Sequence, residues 1–312
     1  MKFVVYLALA LALAGCVTAP PDTARPVAVE PVPSTGSPTP AVVAPDLPIV
    51  ARVLPRIGLA LGGGAARGFA HVGVIQVLEE AGIRPSMVAG TSAGSLVASI
   101  YASGKSGLQL QRVAETMEEA AITDWTLPLF NRGMLRGDAL AKYVNAQVGA
   151  RLIENMPLPL GILATDLKTG QSMLFQRGDT GTAVRASSAV PALFEPVKIS
   201  GREYVDGGLV SPIPVRAVRQ MGADLVIAVD ISSPPEGNLS GSTIDILMQT
   251  FTIMSKSINT LELRDADVVV RPNLPGVGSS DFGARKRSIE AGRKAMLQML
   301  PQLRLAIAAK TR

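Results

Sequence analysis

The stretch Gly90-Thr91-Ser92-Ala93-Gly94 has the form G-x-S-x-G and joins two segments of different character. Residues 86–89 form a short apolar run typical of a buried strand, and residues 95–101 are typical of a helix. A serine on a sharp strand-to-helix turn presents its hydroxyl at a helix N-terminus, where backbone N–H groups favour a developing oxyanion. The two glycines permit such a turn because they carry no Cβ. The pattern predicts a nucleophilic Ser92; the alternative is a turn that only connects the two segments.

A second glycine-rich stretch, Gly62-Gly63-Gly64-Ala65-Ala66-Arg67-Gly68, follows a predicted strand at 57–61. Consecutive glycines at a strand-to-helix junction leave amide N–H groups free to bind an anion. A phosphate loop would need a G-K-[ST] ending, and a dinucleotide fingerprint would need a glycine in place of Arg67. An oxyanion hole fits the order of the elements better, because the next strand leads into Ser92.

The chain contains one histidine, His71, and it precedes Ser92. This order excludes the α/β-hydrolase arrangement, in which the histidine follows the nucleophile and the acid. His71 lies in an otherwise apolar helical stretch. This setting favours a structural imidazole over a member of an atypical triad.

A carboxylate is then the remaining candidate for the base that a serine nucleophile needs. Asp206 follows a predicted strand at 203–205 and precedes Gly207 and Gly208, which allow a close approach to another backbone. The alternative for this Asp-Gly pair is a plain turn. Asp166 and Asp230, at the ends of other predicted strands, are the competing carboxylates.

Helical and strand-like segments alternate from residue 57 onward and predict an α/β fold with a mostly parallel sheet covered on both faces. The predicted strands lie at 57–61, 86–89, 161–165, 172–175, 203–205, 225–229 and 268–270. The predicted helices lie at 67–80, 95–101, 108–121, 138–148, 215–221, 243–263 and 288–308.

Residues 1–15 carry one basic residue, Lys2, and then an apolar run too short to span a bilayer, which is typical of a secretory signal. The run ends in Leu13-Ala14-Gly15-Cys16, a match to the bacterial lipobox, and Cys16 is the only cysteine. We expect cleavage before Cys16 and acylation of its thiol; the alternative is an incidental thiol. Val17 stands where an aspartate would signal retention in the inner membrane, which favours an outer-membrane anchor facing the periplasm.

The segment from residue 16 to residue 55 is rich in proline and predicts a disordered tether, and residues 56–312 predict one large domain. The formal net charge of +5 is mild, and the basic residues lack the interleaved aromatics of a nucleic-acid surface. A solvated face is the first interpretation of these charges, and weak attraction to anionic lipid is the second. Acylation of Cys16 leaves no thiol, which excludes disulfides and cysteine metal sites.

Three motifs occur in order: GGGAARG at 62–68, GTSAG at 90–94 and DGG at 206–208. With the stretches at 164–170 and 185–196, they make the chain resemble the bacterial patatin-like phospholipases from Arg56 to the C-terminus. The resemblance implies a three-layer α/β/α sandwich and a Ser–Asp dyad that needs neither a metal nor another cofactor. It implies Ser92 as the nucleophile, Asp206 as the general base and the backbone of Gly62, Gly63 and Gly64 as the oxyanion hole, with Arg67 shaping that loop.

The function implied by the resemblance is hydrolysis of acyl ester bonds in membrane lipids, of the phospholipase A or lysophospholipase type, with no nucleic-acid partner. The alternative is a lipid-binding or regulatory module with little turnover. The intact pair Ser92 and Asp206 favours the enzyme. We also predict that the aromatic loop Trp125-Thr126-Leu127-Pro128-Leu129-Phe130 lies at the mouth of an acyl pocket; a place in the buried core is the alternative.

Overall fold

Ten strands and eight α-helices form from the residues that the computed structural model describes, which are 53–119, 124, 133–235 and 241–312. The strands are β1 Ile57–Leu61, β2 Met87–Thr91, β3 Gly133–Leu135, β4 Leu160–Asp166, β5 Ser172–Phe175, β6 Ala192–Phe194, β7 Val197–Ile199, β8 Arg202–Asp206, β9 Leu225–Val229 and β10 Val268–Val270. The helices are α1 Ala70–Glu80, α2 Ala93–Ala102, α3 Gly107–Thr116, α4 Asp138–Val148, α5 Thr180–Ser187, α6 Val215–Gln220, α7 Thr243–Glu262 and α8 Arg285–Lys310.

The central sheet has the strand order β10-β9-β1-β2-β4-β8-β7, and β5 also pairs with β4. The five strands from β10 to β4 are parallel, whereas β5, β8 and β7 pair antiparallel. Every residue of β1, β2, β4 and β9 is buried, as expected for parallel strands with both faces covered. The predicted three-layer α/β/α sandwich with a mostly parallel sheet is therefore confirmed.

One face of the sheet carries the larger apolar core, to which α1, α2, α4 and α8 contribute; α6 packs on the other face. The helices α1 and α8 cross closely at two glycines. A Cβ on Gly73 would collide with the backbone of Ile289, and a Cβ on Gly292 would collide with the backbone of Ala70. The close crossing brings α8 against the helix that follows the glycine-rich loop.

The C-terminal end of α8 returns to the start of the described domain. The amide of Val53 donates to the carbonyl of Arg312 at 2.7 Å, and the amide of Arg312 donates to the carbonyl of Val53 at 3.1 Å. The two ends of the described domain therefore meet beside the amino end of β1.

Helix α7 has an inverted distribution of polar and apolar residues. Its buried residues are Ser255, Asn259 and Glu262, whereas Ile246 and Ile253 are at least half exposed. These three polar residues of the helix therefore face the domain.

Several predicted boundaries were wrong. The helix predicted at 67–80 begins as a 3₁₀ turn, Ala65–Phe69, before α1, and the helix predicted at 108–121 ends at Thr116. The short strands β3, β6 and β7 and the helix α5 were not predicted. The lipobox and residues 16–52 of the predicted tether lie outside the described residues, as does the loop 125–130.

Candidate active site

Ser92 lies between the end of β2 and the first residue of α2, with φ 53° and ψ −125°. A non-glycine residue in this conformation stores strain of about 1–3 kcal/mol and persists only where the surroundings hold it. The flanking glycines are required by space as well as by conformation. A Cβ on Gly90 would collide with the backbone of Gly94, and a Cβ on Gly94 would collide with the backbone of Leu61. The predicted sharp turn, which we call the elbow (residues 90–94), is therefore present.

The backbone of this turn is held from two sides. The amide of Ser92 donates to the hydroxyl of Ser187 at 2.9 Å, and that hydroxyl donates to the carbonyl of Leu163 on β4. On the other side, the hydroxyl of Ser95 donates to the carbonyl of Ser92 at 2.6 Å. Ser187 therefore holds the backbone of the turn, and no local pattern in the stretch 185–196 singled it out.

Asp206 ends β8, next to β4 in the sheet, and is 1% exposed. Its Oδ1 accepts a 2.7 Å hydrogen bond from the amide of Gly208, whereas its buried Oδ2 accepts none from the described residues. Burial raises the pKa of the Asp206 carboxyl to about 6, although the Gly208 amide and the Ser92 hydroxyl act to lower it.

The Ser92 hydroxyl is thus close enough to influence the Asp206 carboxyl, but no hydrogen bond of ordinary geometry joins the two side chains. Pairs of this kind are often loose in unliganded sites and tighten in the substrate complex. The two groups are therefore close together, and Oδ2 is the oxygen of Asp206 that is open to a proton.

The glycines after Asp206 allow the loop to pass close to its neighbours. A Cβ on Gly207 would collide with the carbonyl of Leu163, and a Cβ on Gly208 would lie 2.7 Å from the ring of Phe251 on α7. A larger residue at either position would force the loop or its neighbours to shift.

The competing carboxylates have other partners. Asp166 accepts hydrogen bonds from the amides of Lys168 and Thr169 and pairs with Arg202 at 3.1 Å; the Thr169 amide is the main cause that lowers its pKa. Asp230 accepts from the amide and the hydroxyl of Ser232 and pairs with Arg271 at 3.2 Å. These contacts leave Asp206 as the carboxylate beside Ser92.

The glycine-rich loop passes the elbow at Gly63, where a Cβ would lie 3.2 Å from the Cβ of Ser92. Its amides are not equivalent. The amide of Gly62 donates to Val229 at 3.1 Å and the amide of Gly63 donates to Pro212 at 2.9 Å. Among the described residues, the amides of Gly64 and Ala65 have no hydrogen-bond acceptor. The prediction that Gly62 and Gly63 donate to an oxyanion therefore needs correction, because the end of β9 and the segment before α6 already bind their amides.

Arg67 is buried and donates all its hydrogen bonds to backbone carbonyls. Its Nε bonds to Ile231 at 2.7 Å, and its two terminal nitrogens bond to Ser232, Leu274 and Val277. Desolvation by burial lowers the pKa of this guanidinium. Arg67 ties the glycine-rich loop to the segments after β9 and β10, which agrees with a loop-shaping residue and not with an oxyanion donor.

His71 is fully buried in α1, and its Nε2 lies 2.8 Å from the carbonyl oxygen of Gly62. Its Nδ1 has no hydrogen-bond partner among the described residues. Burial lowers the pKa of His71 to about 4, so the imidazole is neutral near pH 7 and donates to Gly62 through Nε2. This contact fits a structural imidazole beneath the glycine-rich loop.

Ser92 lines an apolar cavity of about 400 Å³, within the range of ~300–1,000 Å³ typical of small-molecule sites. Helix α2 contributes Ala93, Leu96, Val97 and Ile100 to the wall, and the opposite wall includes Phe194 and Phe282. Ala65, whose amide has no acceptor among the described residues, also lines the cavity. An acyl chain placed here would meet almost only carbon, with Ser92 at one side.

Among residues 53–119, 124, 133–235 and 241–312, no cluster of three or more His, Cys, Asp or Glu side chains is suited to hold a metal ion. Within the same described ranges, no helix is long and apolar enough to cross a membrane. The predicted lipidation site Cys16 and the aromatic loop with Trp125 fall outside the described residues, so both stay predictions.

A sequence profile described as "Patatin-like phospholipase" matches residues 59–219, which is more than half of the chain. Two relatives illustrate the similarity. An "uncharacterized NTE family protein" of Mycobacterium bovis is 35% identical over 208 residues, which are 66% of this chain and 58% of the relative. The mouse "patatin-like phospholipase domain-containing protein 6" is 33% identical over 205 residues, which are 62% of this chain and 15% of that protein.

A solved structure, VipD from Legionella pneumophila, has a similar fold, with a TM-score of 0.53 at 15% identity. The alignment covers 80% of this chain and 68% of VipD. This chain spans only 58% of the length of the mycobacterial relative. The profile match, the relatives and the fold agree: the chain belongs to the patatin-like phospholipase family, a family of lipid hydrolases.

Proposed function

We propose that the domain is a serine acyl hydrolase that cleaves ester bonds of phospholipids and lysophospholipids with Ser92 as nucleophile and Asp206 as general base. The observation that carries the proposal is the position of Ser92: its strained turn forms part of an apolar cavity, and the buried Asp206 carboxyl lies beside it. The pKa of Asp206, about 6, leaves the carboxyl ionised near pH 7 and still basic enough to accept a proton.

In the first half of the reaction, Oγ of Ser92 attacks the ester carbonyl carbon while its proton moves to Oδ2 of Asp206. The carbonyl oxygen becomes an oxyanion, to which the amides of Gly64 and Ala65 and the N-terminus of α2 offer positive charge. The C–O bond to the alcohol then breaks, and the leaving oxygen takes the proton from Asp206. An acyl ester on Ser92 remains.

In the second half, water attacks the acyl carbon and gives one proton to Asp206. The resulting intermediate collapses to release the fatty acid, and Oγ of Ser92 recovers its proton from Asp206. The cavity along α2 holds the acyl chain throughout and excludes water from it. This division of one step into two is the general use of an activated serine.

Turnover of phosphatidylcholine vesicles and of lysophosphatidylcholine, followed as released fatty acid, tests the proposal. We expect Ser92→Ala and Asp206→Asn each to lower kcat by at least about 10³-fold, and the double variant to lose little more, since members of one catalytic unit are not additive. The exposed Ser257→Ala is the matched control and should retain activity. A fluorophosphonate should label the wild type and Ser257→Ala but not Ser92→Ala.

The competing function is a lipid-binding module without turnover. It would be supported if both substrates bind and neither releases fatty acid, and if the fluorophosphonate fails to label Ser92. Activity on only one of the two substrates would restrict the proposal to phospholipase A or to lysophospholipase activity.

We further propose that a lipid on Cys16 anchors the protein to the cell envelope, in the outer membrane and facing the periplasm. The lipobox Leu13-Ala14-Gly15-Cys16 after a short apolar run supports this. More than one acyl chain is needed for stable anchoring. Cys16→Ser should move the protein to the soluble fraction, and a variant that still sediments with membranes as the wild type does would contradict the anchor.

A further inference from the structure

A second cleft, of about 660 Å³, lies between α7 and the segments that follow β9 and β10. No residue lines both this cleft and the acyl cavity. It takes residues from three parts of the chain: Asp230, Ser232, Ser233 and Pro234 after β9; Lys256, Asn259, Thr260, Leu263 and Arg264 on and after α7; and Val269, Arg271 and Pro272 around the end of β10. The cleft is therefore distinct from the site of Ser92.

Asn259 is the unusual residue of this cleft. It is 4% exposed, and neither Nδ2 nor Oδ1 has a hydrogen-bond partner among the described residues. A buried polar group without a partner costs about 1–3 kcal/mol. An amide group on the wall of a cleft supplies both a donor and an acceptor to a polar ligand. The unpartnered amide therefore indicates a ligand that fills the cleft.

The charges around Asn259 indicate the sign of that ligand. The basic residues Lys256, Arg264 and Arg271 line the cleft with a single carboxylate, Asp230. Both oxygens of Asp230 accept hydrogen bonds, one from Ser232 and one from Arg271. Within the described part of the chain, Arg264 forms no salt bridge. The charge of Arg264 therefore favours an anion, and arginine binds phosphate oxygens well.

We propose that this cleft binds a phosphate group, either free in solution or as the headgroup of an anionic phospholipid. The Nδ2 of Asn259 donates to a phosphate oxygen, and a protonated phosphate or a headgroup hydroxyl donates to its Oδ1. Arg264, which also lines the cleft, supplies the positive charge. Binding here does not depend on turnover at Ser92, so the Ser92→Ala protein serves for all measurements.

The test uses thermal unfolding of the full chain with increasing inorganic phosphate, at constant ionic strength set with chloride. A ligand that binds the folded state alone raises the unfolding temperature as its concentration passes Kd. We expect this rise for the Ser92→Ala protein and no rise when Asn259→Leu is added to it. In chloride alone, Asn259→Leu should unfold at an equal or higher temperature, because it removes the unpartnered amide.

The matched charge variants are Arg264→Gln, in the cleft, and Arg304→Gln, on the exposed side of α8. Arg264→Gln should weaken phosphate binding on the order of tenfold, and Arg304→Gln should not change it. If Asn259→Leu fails to fold, Asn259→Asp replaces it; its carboxylate would face the basic residues and should abolish phosphate binding.

A vesicle arm separates the two sources of phosphate. Phosphatidylglycerol in phosphatidylcholine vesicles is compared with pure phosphatidylcholine vesicles by cosedimentation. A response to inorganic phosphate supports a soluble ligand, and a response to phosphatidylglycerol alone supports a headgroup, in each case only if Arg264→Gln weakens it. No response to either probe, or a response that Asn259→Leu and Arg264→Gln leave unchanged, overturns the proposal.

Discussion

The Nε2 atom of His71 lies 2.8 Å from the carbonyl oxygen of Gly62, so the chain's only histidine is bound to the glycine-rich loop. The loop in turn passes Ser92 at Gly63. The Nε2–H group of His71 is used for the hydrogen bond to Gly62, and burial lowers the pKa of the imidazole to about 4. This arrangement separates the structural role of His71 from the chemical role that we propose for Asp206.

The first prediction concerns His71→Gln, which should lower stability more than it lowers kcat. The pKa of His71 is about 4 when folded and about 6.5 when unfolded, so its contribution is fully present above pH 6.5 and is lost as the pH falls toward 4. Between pH 7 and pH 4 the wild type should therefore lose up to about 3 kcal/mol more of its unfolding free energy than His71→Gln. Denaturant unfolding at a series of pH values measures this. A folded His71→Gln protein as inactive as Ser92→Ala, beside an active Asp206→Asn protein, would make His71 the base.

The second prediction is the acid limb of kcat/KM. Asp206 must be ionised to accept the proton of Ser92, so activity should fall as the pH drops through about 6, the pKa that burial gives this carboxyl. The limb should persist in His71→Gln, which removes the imidazole but not the carboxyl. Circular dichroism at each pH serves as the control for folding. Disappearance of the limb in His71→Gln would contradict the assignment.

The third prediction concerns Ser187, whose hydroxyl joins the amide of Ser92 to the carbonyl of Leu163. Ser187→Ala leaves the amide of Ser92 without this acceptor, at a cost of about 1–3 kcal/mol, and loosens the strained turn. We expect kcat to fall about tenfold with little change in KM, and Ser187→Thr to restore part of it. Ser103→Ala removes the hydrogen bond from the Ser103 hydroxyl to the carbonyl of Ile100 at the far end of α2, and it should leave kcat unchanged. An equal loss in both alanine variants would show a general effect on the helix.

The fourth prediction concerns acyl chain length. Ile100 lines the cavity eight residues after Ser92, about 12 Å along the axis of α2 at ~1.5 Å per residue. Ile100→Trp should therefore block the far part of the cavity. It should lower kcat/KM for p-nitrophenyl palmitate at least about tenfold and change kcat/KM for p-nitrophenyl butyrate little. Leu108→Trp, at an exposed position outside the cavity, is the control. Equal losses with both esters would place the acyl chain elsewhere.

The parts of the fold that the sequence predicted well are those with local causes. The elbow at Ser92 follows from two glycines and a change of periodicity within a few residues, and the apolar strands β1 and β9 were predicted with their observed bounds. Helix α5 was missed because its residues, Thr180–Ser187, include glycine and β-branched side chains that form helices poorly. Its one local signal is the cap Asp179, whose side chain accepts from the amide of Thr182.

The parts of the site that were missed depend on distant partners. The amides of Gly62 and Gly63 are committed to Val229 and Pro212, far along the chain, and no pattern around the glycines reveals this. Ser187 reaches Ser92 only because α5 packs beside β4. The antiparallel pairing of β8 with β4, which brings Asp206 to the elbow, is likewise a matter of sheet order and not of local sequence.

The backbone pair between Val53 and Arg312 has a practical consequence for handling the protein. Both ends of the described domain emerge beside the amino end of β1, whereas Ser92 follows the carboxyl end of the parallel neighbour β2. A short linker across the two ends would give a circular permutant, with new termini opened at the exposed turn around Gly170. Immobilisation through Val53 or Arg312 would hold the described domain at the end of the parallel strands opposite to Ser92.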